Sequence, residues 1–222
     1  RTTGSAPLGH PEHGHERRLA PRRSKRQYPG ARGQRLIWIP TMSTLYAVID
    51  VETTGGHTKD AKITELAIYK HDGKKILDRF HSLINPEQNI PEFIVRLTGI
   101  TDQMVADAPK FYEIAKEVLA FCEGCVFVAH NVAFDYGMFR SEFKRLGYEF
   151  RMPQLCTVRA SRIVMPGHAS YSLGKICSDL GIPNAARHRA DGDARATAEL
   201  FSILYERDKN ELRTFIQDVL NQ

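Results

Sequence analysis

The sequence predicts an α/β fold, with a mixed five-stranded sheet flanked by helices. The apolar run Leu45–Ile49 indicates a strand that is buried on both faces. Two more strand patterns follow it, and the second half of the chain alternates helical patterns with short apolar strands. At 222 residues and 42% hydrophobic content, the chain is long enough for one domain with a full core.

Residues 1–41 differ in composition from the rest of the chain. They hold nine Lys and Arg against two acidic residues, whereas residues 42–222 hold 22 against 24. The segment is rich in Arg, Gly, Pro and His and has no apolar period, which predicts a disordered basic tail. Met42 directly precedes the first strand, so we expect the natural start there and a non-native tail. The alternatives are a nucleic-acid-binding arm or an organelle-targeting leader.

The domain boundaries follow from this division. We expect one domain over residues 42–207, followed at 208–222 by a helical segment or the start of a linker. The predicted domain is slightly acidic, so its bulk charge does not by itself favour phosphate binding.

Four cysteines and the absence of a long apolar run predict a cytoplasmic protein without membrane contact. Cys122 and Cys125 have the spacing of a zinc or redox pair. No second close pair of Cys or His completes a zinc site, so we favour a packing role.

The second and third strands are predicted over Ile63–Tyr69 and Ile76–Ile84, joined by a turn at His71-Asp72-Gly73. With the first strand they would form a hairpin-connected meander. Two prolines then interrupt the pattern, and Pro91–Ile100 is expected to be a short helical or looped piece.

A helix is predicted from about Pro109 to Cys122, with Asp107 as its N-cap. Val126–Ala129 should form the fourth strand, and the helix that follows it should end at Gly147. A strand end and a helix are expected over Leu155–Val164.

The last part of the chain should hold two more helices. Ser172–Leu180 is predicted to be helical and to stop at Gly181. The segment His188-Arg189-Ala190-Asp191-Gly192-Asp193 should open a long final helix. Asp193 falls on the apolar face of that helix, and Asp191 suits the N-cap position better.

Three acidic signals stand out at the predicted element ends. Asp50 and Glu52 follow the first strand two residues apart, so both side chains should point to one face, with Cα atoms ~6.6 Å apart. Asp135 lies just after the fourth strand, and Asp193 lies at the start of the last helix. Because carboxyl ends of strands gather functional groups in α/β sheets, these acids predict a divalent-cation site.

The chain resembles the DEDDh 3′-to-5′ exonucleases, the family of the proofreading epsilon subunit of DNA polymerase III, over roughly Leu45–Leu204. The matching segments, in the family's order, are Val48-Ile49-Asp50-Val51-Glu52-Thr53-Thr54-Gly55, Leu97-Thr98-Gly99-Ile100, His130-Asn131-Val132-Ala133-Phe134-Asp135, Tyr171-Ser172-Leu173 and the final His188-to-Asp193 segment. A histidine five residues before the last acid is similar to the DEDDh branch. The resemblance implies an RNase H-like fold.

The resemblance also implies a catalytic set that uses two divalent cations, Mg²⁺ or Mn²⁺. Asp50 would bridge both cations, Glu52 and Asp193 would complete the first site, and Asp135 would hold the second directly or through water. Two such ions neutralise the attacking and leaving oxygens of a phosphodiester. His188, with an ordinary pKa near 6.5, suits the general base, and we expect His130 to be structural.

By the same resemblance, a set of residues beside the acids would hold the terminal nucleotide: Thr53, Thr54, Leu97, Ile100, Asn131 and Phe134. The expected activity is hydrolysis at the 3′ end of single-stranded or frayed DNA, with release of 5′-mononucleotides, in proofreading or repair. The alternatives are a 3′-to-5′ exoribonuclease of the RNase T or oligoribonuclease kind, or a catalytically silent nucleic-acid-binding module. A polymerase or a downstream nuclease domain is a possible partner.

Overall fold

A five-stranded mixed sheet lies at the centre of the protein in this computed structural model, which describes residues 44–184 and 187–207. In chain order the strands are β1 (Leu45–Thr53), β2 (Ile63–His71), β3 (Ile76–Leu83), β4 (Cys125–Ala129) and β5 (Gln154–Cys156). The predicted tail at 1–41 and the C-terminal segment at 208–222 lie outside the described residues.

The strand order is β3-β2-β1-β4-β5. β1 pairs antiparallel with β2, and β2 pairs antiparallel with β3, as the predicted meander requires. β4 pairs in parallel with β1, and β5 pairs in parallel with β4. The carboxyl ends of β1, β4 and β5 therefore meet at one edge of the sheet. The predicted α/β class and mixed sheet are confirmed.

Seven helices accompany the sheet in the described ranges. They are α1 (Glu92–Thr98), α2 (Asp102–Val105), α3 (Phe111–Cys122), α4 (Val132–Arg145), α5 (Thr157–Val164), α6 (Leu173–Leu180) and α7 (Ala190–Arg207). Gly147 and Gly181 both have positive φ after α4 and α6, as expected where a helix ends in the left-handed region.

The predicted N-cap of α3 is wrong. The helix begins at Phe111, so Asp107 lies too far upstream to accept from its first amides. Lys110 occupies the cap position instead, and its backbone N–H donates to the Glu113 carboxylate at 2.7 Å. The Glu113 side chain, from the third residue of α3, thus accepts one of the two hydrogen bonds of a capping box.

Both faces of the sheet are covered by packed side chains. Successive β1 residues belong to different layers, because Val48 packs with the layer of α5, α6 and α7, and Ile49 packs with the layer of α3 and α4. The second layer is rich in phenylalanine, and the rings of Phe143 and Phe150 stack 5.0 Å apart. Each large side chain buried in this way stabilises the fold by about 1.5–3 kcal/mol. β1 is thus a central strand that is packed on both faces, and this packing fixes the position of its carboxyl end.

The cysteine pair is part of the packing. Cys122 and Cys125 are buried free thiols, and burial raises the pKa of Cys122 to about 12. No cluster of metal-ligating side chains in the described ranges includes either of them. None of the described helices is both long enough and apolar enough to cross a membrane.

Candidate active site

Three predicted acids meet at the carboxyl edge of the sheet. Asp50 and Glu52 lie on the same face near the end of β1, and Asp193 projects from the first turn of α7. One carboxylate oxygen from each lies within 4.8 Å of the others. Asp50 and Glu52 are close because β1 is extended, and Asp193 joins them because α7 packs against β1 and β2.

Asp135 lies beside this cluster and is held by the backbone of β1. The parallel pairing of β1 with β4 ends at Val48 and Val128. Beyond that point the N–H of Val51, between the two acids, donates to Oδ1 of Asp135 at 3.2 Å. Asp135 is buried in the first turn of α4. All four predicted acids are therefore gathered at one edge of the sheet.

Burial and mutual repulsion make the charged form of the cluster unfavourable. Burial, followed by the charges of Asp135 and Glu52, raises the pKa of Asp50 well above its ordinary value. Burial and Asp193 raise the pKa of Glu52 to about 8. Burial raises the pKa of Asp135 to about 7, although the Val51 hydrogen bond opposes the rise.

The donor set fits a divalent cation. Carboxylate oxygens are the ligands that Mg²⁺ and Mn²⁺ prefer, and several of them close together are costly unless a cation offsets their charge. Asp50, Glu52 and Asp193 could hold such an ion, with Asp135 as an additional ligand beside them.

His188 adjoins the cluster through its backbone. It adopts the left-handed region with φ of 60°, and its N–H donates to Oδ2 of Asp193 at 2.8 Å. The other oxygen of Asp193 accepts from the side-chain amide of Asn184 at 3.1 Å. The chain thus turns tightly at His188 just before α7 begins.

The N-cap role expected for Asp191 is wrong. Its Oδ1 accepts from the Tyr69 hydroxyl at 2.7 Å and from Nε of Arg79 at 2.6 Å, so it ties α7 to the meander. The acid that accepts a backbone N–H at this helix start is Asp193. The turn at His188 brings the upstream amide to Asp193 instead of Asp191.

Thr53 and Thr54 shape the loop after β1. The Thr53 hydroxyl donates to the carbonyl of Gly55 at 2.7 Å. The Thr54 hydroxyl accepts from the Lys62 amide at 3.0 Å and from the Gln88 side chain at 2.6 Å. These contacts use the proton of the Thr53 hydroxyl and the lone pairs of the Thr54 hydroxyl, and they leave the Thr54 O–H as a donor for a nucleotide.

The two apolar residues of the Leu97-to-Ile100 segment differ in placement. Leu97 is 50% exposed on α1, whereas Ile100 is fully buried in a small cluster with Ile90, Ile94 and Val105. The expected contact of Ile100 with a nucleotide is therefore not available, because its side chain has no exposed surface. Its packing instead supports the segment that presents Leu97.

The residues around the start of α4 divide into exposed and structural groups. Asn131 is exposed with φ of 78°, and Phe134 is half-buried against the core. The two ring nitrogens of His130 lie 2.9 Å from the Thr157 hydroxyl oxygen and 2.9 Å from the Tyr171 carbonyl oxygen. His130 thus links the turn after β4 to the first residue of α5 and to the segment before α6, and its structural role stays a prediction.

Sequence reasoning missed Glu65. It lies in β2 directly opposite Glu52 in the β1–β2 register, and it is fully buried. Its oxygens accept from Arg189, Ala190 and His81. The signal was present in the sequence, because an acid in the middle of the apolar segment Ile63–Tyr69 requires buried partners.

The mixed sheet and the acidic cluster at its carboxyl edge define a nuclease of RNase H-like fold. The chain belongs to the Exonuclease family, whose model matches residues 47–201, and it is of the DEDDh type.

Two curated relatives share extended similarity. The chain is 40% identical over 166 residues to the 3′-5′ exonuclease DinG of Bacillus subtilis (strain 168). It is 37% identical over 163 residues to the protein of the same name from Staphylococcus saprophyticus. Each match covers 73% of this chain but only 18% of the relative. The chain thus spans less than a fifth of the length of these relatives.

Solved exonucleases share the fold. Exonuclease X in complex with 5′ overhanging duplex DNA is 26% identical, with a TM-score of 0.62, and the match covers 78% of this chain and 99% of that one. Exonuclease I of E. coli in complex with a dT13 oligonucleotide is 18% identical, with a TM-score of 0.68, over 76% of this chain and 42% of the other. The second likeness shows the fold alone.

Proposed function

We propose that this chain is a metal-dependent 3′-to-5′ exonuclease that removes nucleotides from the 3′ end of single-stranded or frayed DNA. The observation that carries the proposal is the gathering of Asp50, Glu52 and Asp193 within 4.8 Å, with Asp135 beside them, in a chain of the Exonuclease family. The names of the relatives, 3′-5′ exonuclease DinG, support the polarity, and the DNA-bound Exonuclease X supports DNA as the substrate.

The four acids would hold two divalent cations, Mg²⁺ or Mn²⁺. When bound, such ions supply charge neutralisation at the phosphodiester and its leaving oxygen. The protein contributes a rigid arrangement of ligands, since Asp50 and Glu52 sit on the central strand and Asp135 is fixed by the Val51 amide.

His188 would act as the general base that takes a proton from the attacking water. A neutral imidazole suits this step near neutral pH. The turn at His188 and its hydrogen bond to Asp193 keep the residue next to the acids. The products would be 5′-mononucleotides.

Selection for an unpaired end would come from Leu97. The other residues around the terminal nucleotide would be Asn131, Phe134, Thr53 and Thr54. An exposed apolar group can pack against any base, but only if the base is unpaired. Unpairing the end of a matched duplex costs a few kcal/mol, so frayed or mismatched ends should be shortened faster.

The catalytic domain would comprise residues 42–207 and act in the cytoplasm. The motif resemblance to the epsilon subunit favours a proofreading or repair role, with a polymerase or a further nuclease domain as partner.

One assay tests the proposal. The protein would be incubated with 5′-labelled single-stranded DNA, matched duplex, duplex with three terminal mismatches, and RNA, each with Mg²⁺, Mn²⁺ or EDTA. We expect 3′ shortening of single-stranded and mismatched DNA that stops in EDTA. Faster degradation of RNA would favour the exoribonuclease alternative, and internal or 5′ cleavage would refute the proposed polarity.

A further inference from the structure

Glu65 is a buried carboxylate next to the acidic cluster that the proposed mechanism does not use. It is the third residue of β2 and has no exposed surface, and it lies opposite Glu52 in the β1–β2 pair. Its charge raises the pKa of Asp50 and of Glu52, so it adds to the repulsion within the cluster. A carboxylate in this place requires a reason other than simple stability, because buried ion pairs add little to stability on average.

All the accepting positions of Glu65 are filled. Oε1 accepts from Nη2 of Arg189 at 2.8 Å and from Nε2 of His81 at 2.8 Å. Oε2 accepts from Nε of Arg189 at 2.9 Å and from the N–H of Ala190 at 2.9 Å. An ionised carboxylate has about four lone-pair positions. Glu65 therefore has none left for a cation.

Hydrogen bonding keeps Glu65 ionised. Burial alone would raise its pKa, but the hydrogen bonds from Arg189 and His81 outweigh it and leave the pKa below its ordinary value. The ion pair with Arg189 is bidentate, which fixes the direction of the guanidinium as well as its distance.

Two of the three residues that bond to Glu65 belong to the segment that carries the proposed base, and the third, His81, lies in β3. Arg189 and Ala190 directly follow His188, and α7 begins at Ala190. His188 has an unfavourable left-handed conformation for a residue with a side chain. Its own N–H bonds to Asp193, and the next two residues bond to Glu65. The turn is thus fixed from both sides.

We propose that Glu65 and Arg189 are positioning residues. This pair, called the clamp below, holds the turn at His188 in place against the edge of the sheet without ligating a cation or binding substrate. The inference rests on the proposed function, since it assigns the clamped turn to the general base. Glu65 anchors the turn to β2, which is paired along its length with the strand that carries Asp50 and Glu52. The proposed general base and the proposed cation ligands of β1 are thereby held by the same pair of strands.

Glu142 provides a matched control. It is also a buried glutamate paired with an arginine, Arg145, at 3.0 Å, and it also accepts a backbone N–H, from Ile63 at 3.3 Å. It lies on α4 and contacts the first residue of β2, away from the His188 turn. Glu142→Gln therefore removes a comparable buried ion pair without touching the clamp.

The test compares Glu65→Gln, Arg189→Lys and Glu142→Gln by steady-state kinetics on single-stranded DNA. Glutamine keeps the shape of Glu65 but loses half of its accepting capacity, and lysine keeps the charge of Arg189 but loses the fork. We expect both clamp variants to lower kcat at least tenfold with KM within about threefold, and Glu142→Gln to change kcat less than twofold. Combining the two clamp substitutions should cost no more than the worse single one.

Two further measurements do not depend on activity. Mn²⁺ binding by calorimetry should weaken less than tenfold in the clamp variants, whereas Glu52→Gln should lose most of its affinity. The ring resonances of His188 in the metal-free protein, assigned by their absence in His188→Gln, should shift or split in the clamp variants and stay unchanged in Glu142→Gln.

Each contrary result refutes the proposal. A loss of Mn²⁺ affinity equal to that of Glu52→Gln would make Glu65 a ligand, and a rise in KM at constant kcat would make Arg189 a substrate contact. If Arg189→Lys changes neither kcat nor the His188 ring resonances, Glu65 and Arg189 have a purely structural role and the proposal is refuted. This comparison remains decisive even if Glu65→Gln does not fold. If the wild-type protein lacks exonuclease activity, the proposed function fails, while the resonances still report whether the clamp holds His188.

Discussion

Replacing Glu52 by glutamine should stabilise the metal-free protein at alkaline pH. Burial and Asp193 raise the pKa of Glu52 from 4.5 to about 8. Between these values the folded protein binds more protons than the unfolded chain, so the stability of the metal-free protein should fall as the pH rises through this window. The shift is worth about 5 kcal/mol at full value, and we discount it to about 2 kcal/mol because the side chain is partly exposed and its charge is screened.

The assay is urea unfolding in EDTA at about pH 5 and about pH 8.5, which lie near the unfolded and folded pKa values of Glu52, respectively. Glu52→Gln should be about as stable as the wild type at the lower pH and about 2 kcal/mol more stable at the higher one. Glu117→Gln, at an exposed position of α3, should behave as the wild type at both. If Glu52→Gln loses as much stability as the wild type between the two pH values, the repulsion argued for the cluster is wrong.

Divalent cations should reverse this dependence in the wild type. Since carboxylates must be deprotonated to bind a cation, Mg²⁺ or Mn²⁺ should stabilise the protein more at the higher pH. At a concentration 100-fold above the dissociation constant the expected gain is about 2.7 kcal/mol. Glu52→Gln should show a much smaller gain, and an equal gain would remove Glu52 from the cation site.

The remaining predictions concern three single residues and the N-terminal segment. His188→Ala should lower kcat by about 10²–10⁴, the usual contribution of a general base, and retain Mn²⁺ binding. Leu97→Ala should raise KM for single-stranded ends about tenfold, since base stacking contributes about 1–3 kcal/mol, with an unchanged melting temperature. Burial lowers the pKa of His71 to about 4, so its neutral ring should contribute stability that is lost as the pH falls below 6.5; relative to the wild type, a His71→Asn variant should gain about 2 kcal/mol of stability between neutral pH and about pH 5. Deletion of residues 1–41 should leave melting temperature and turnover on short oligonucleotides nearly unchanged.

Each of these has a result that contradicts it. An unaltered pH–rate profile in His188→Ala would remove that residue from the mechanism, and an unchanged KM in Leu97→Ala would do the same for the stacking contact. The His71 prediction assumes a neutral ring, whose Nδ1 accepts from the Gly73 amide at 2.9 Å and whose Nε2 lies 2.8 Å from the Ser202 hydroxyl. The same change in stability between neutral pH and about pH 5 in the wild type and in His71→Asn would contradict it. Failure of the truncated protein to fold would refute the boundary at residue 42.

The fold and the acidic cluster were predictable because local patterns determine them. The apolar run before Asp50 requires a strand buried on both faces, and an acid at its end must lie at a sheet edge. Helix ends marked by glycine, such as Gly147 and Gly181, were also predicted, since the left-handed region favours that residue.

Contacts between distant segments were less predictable. The burial of Ile100 depends on how α1 and α2 pack together, and no local pattern separates it from the exposed Leu97. The pairing of Asp191 with Tyr69 and Arg79 joins residues more than 100 positions apart. For the same reason, the sequence of β2 indicates that Glu65 needs buried hydrogen-bond partners, but it does not identify the four donors.

The metal-free protein tolerates its acidic cluster through a small number of fixed donors. Val51 donates to Asp135, His188 donates to Asp193, and the positive charge of Arg189 lowers the pKa of Glu52. Two of these donors are backbone amides, which can satisfy one oxygen each but carry no net charge. Among the residues that the structure describes, the guanidinium that lowers the pKa of Glu52 is already paired with Glu65, so protons or added cations would have to offset the remaining repulsion. Because these two compete for the same oxygens, proton uptake, cation binding and stability should change together in this protein, and a substitution that relieves the repulsion should weaken cation binding by a comparable free energy.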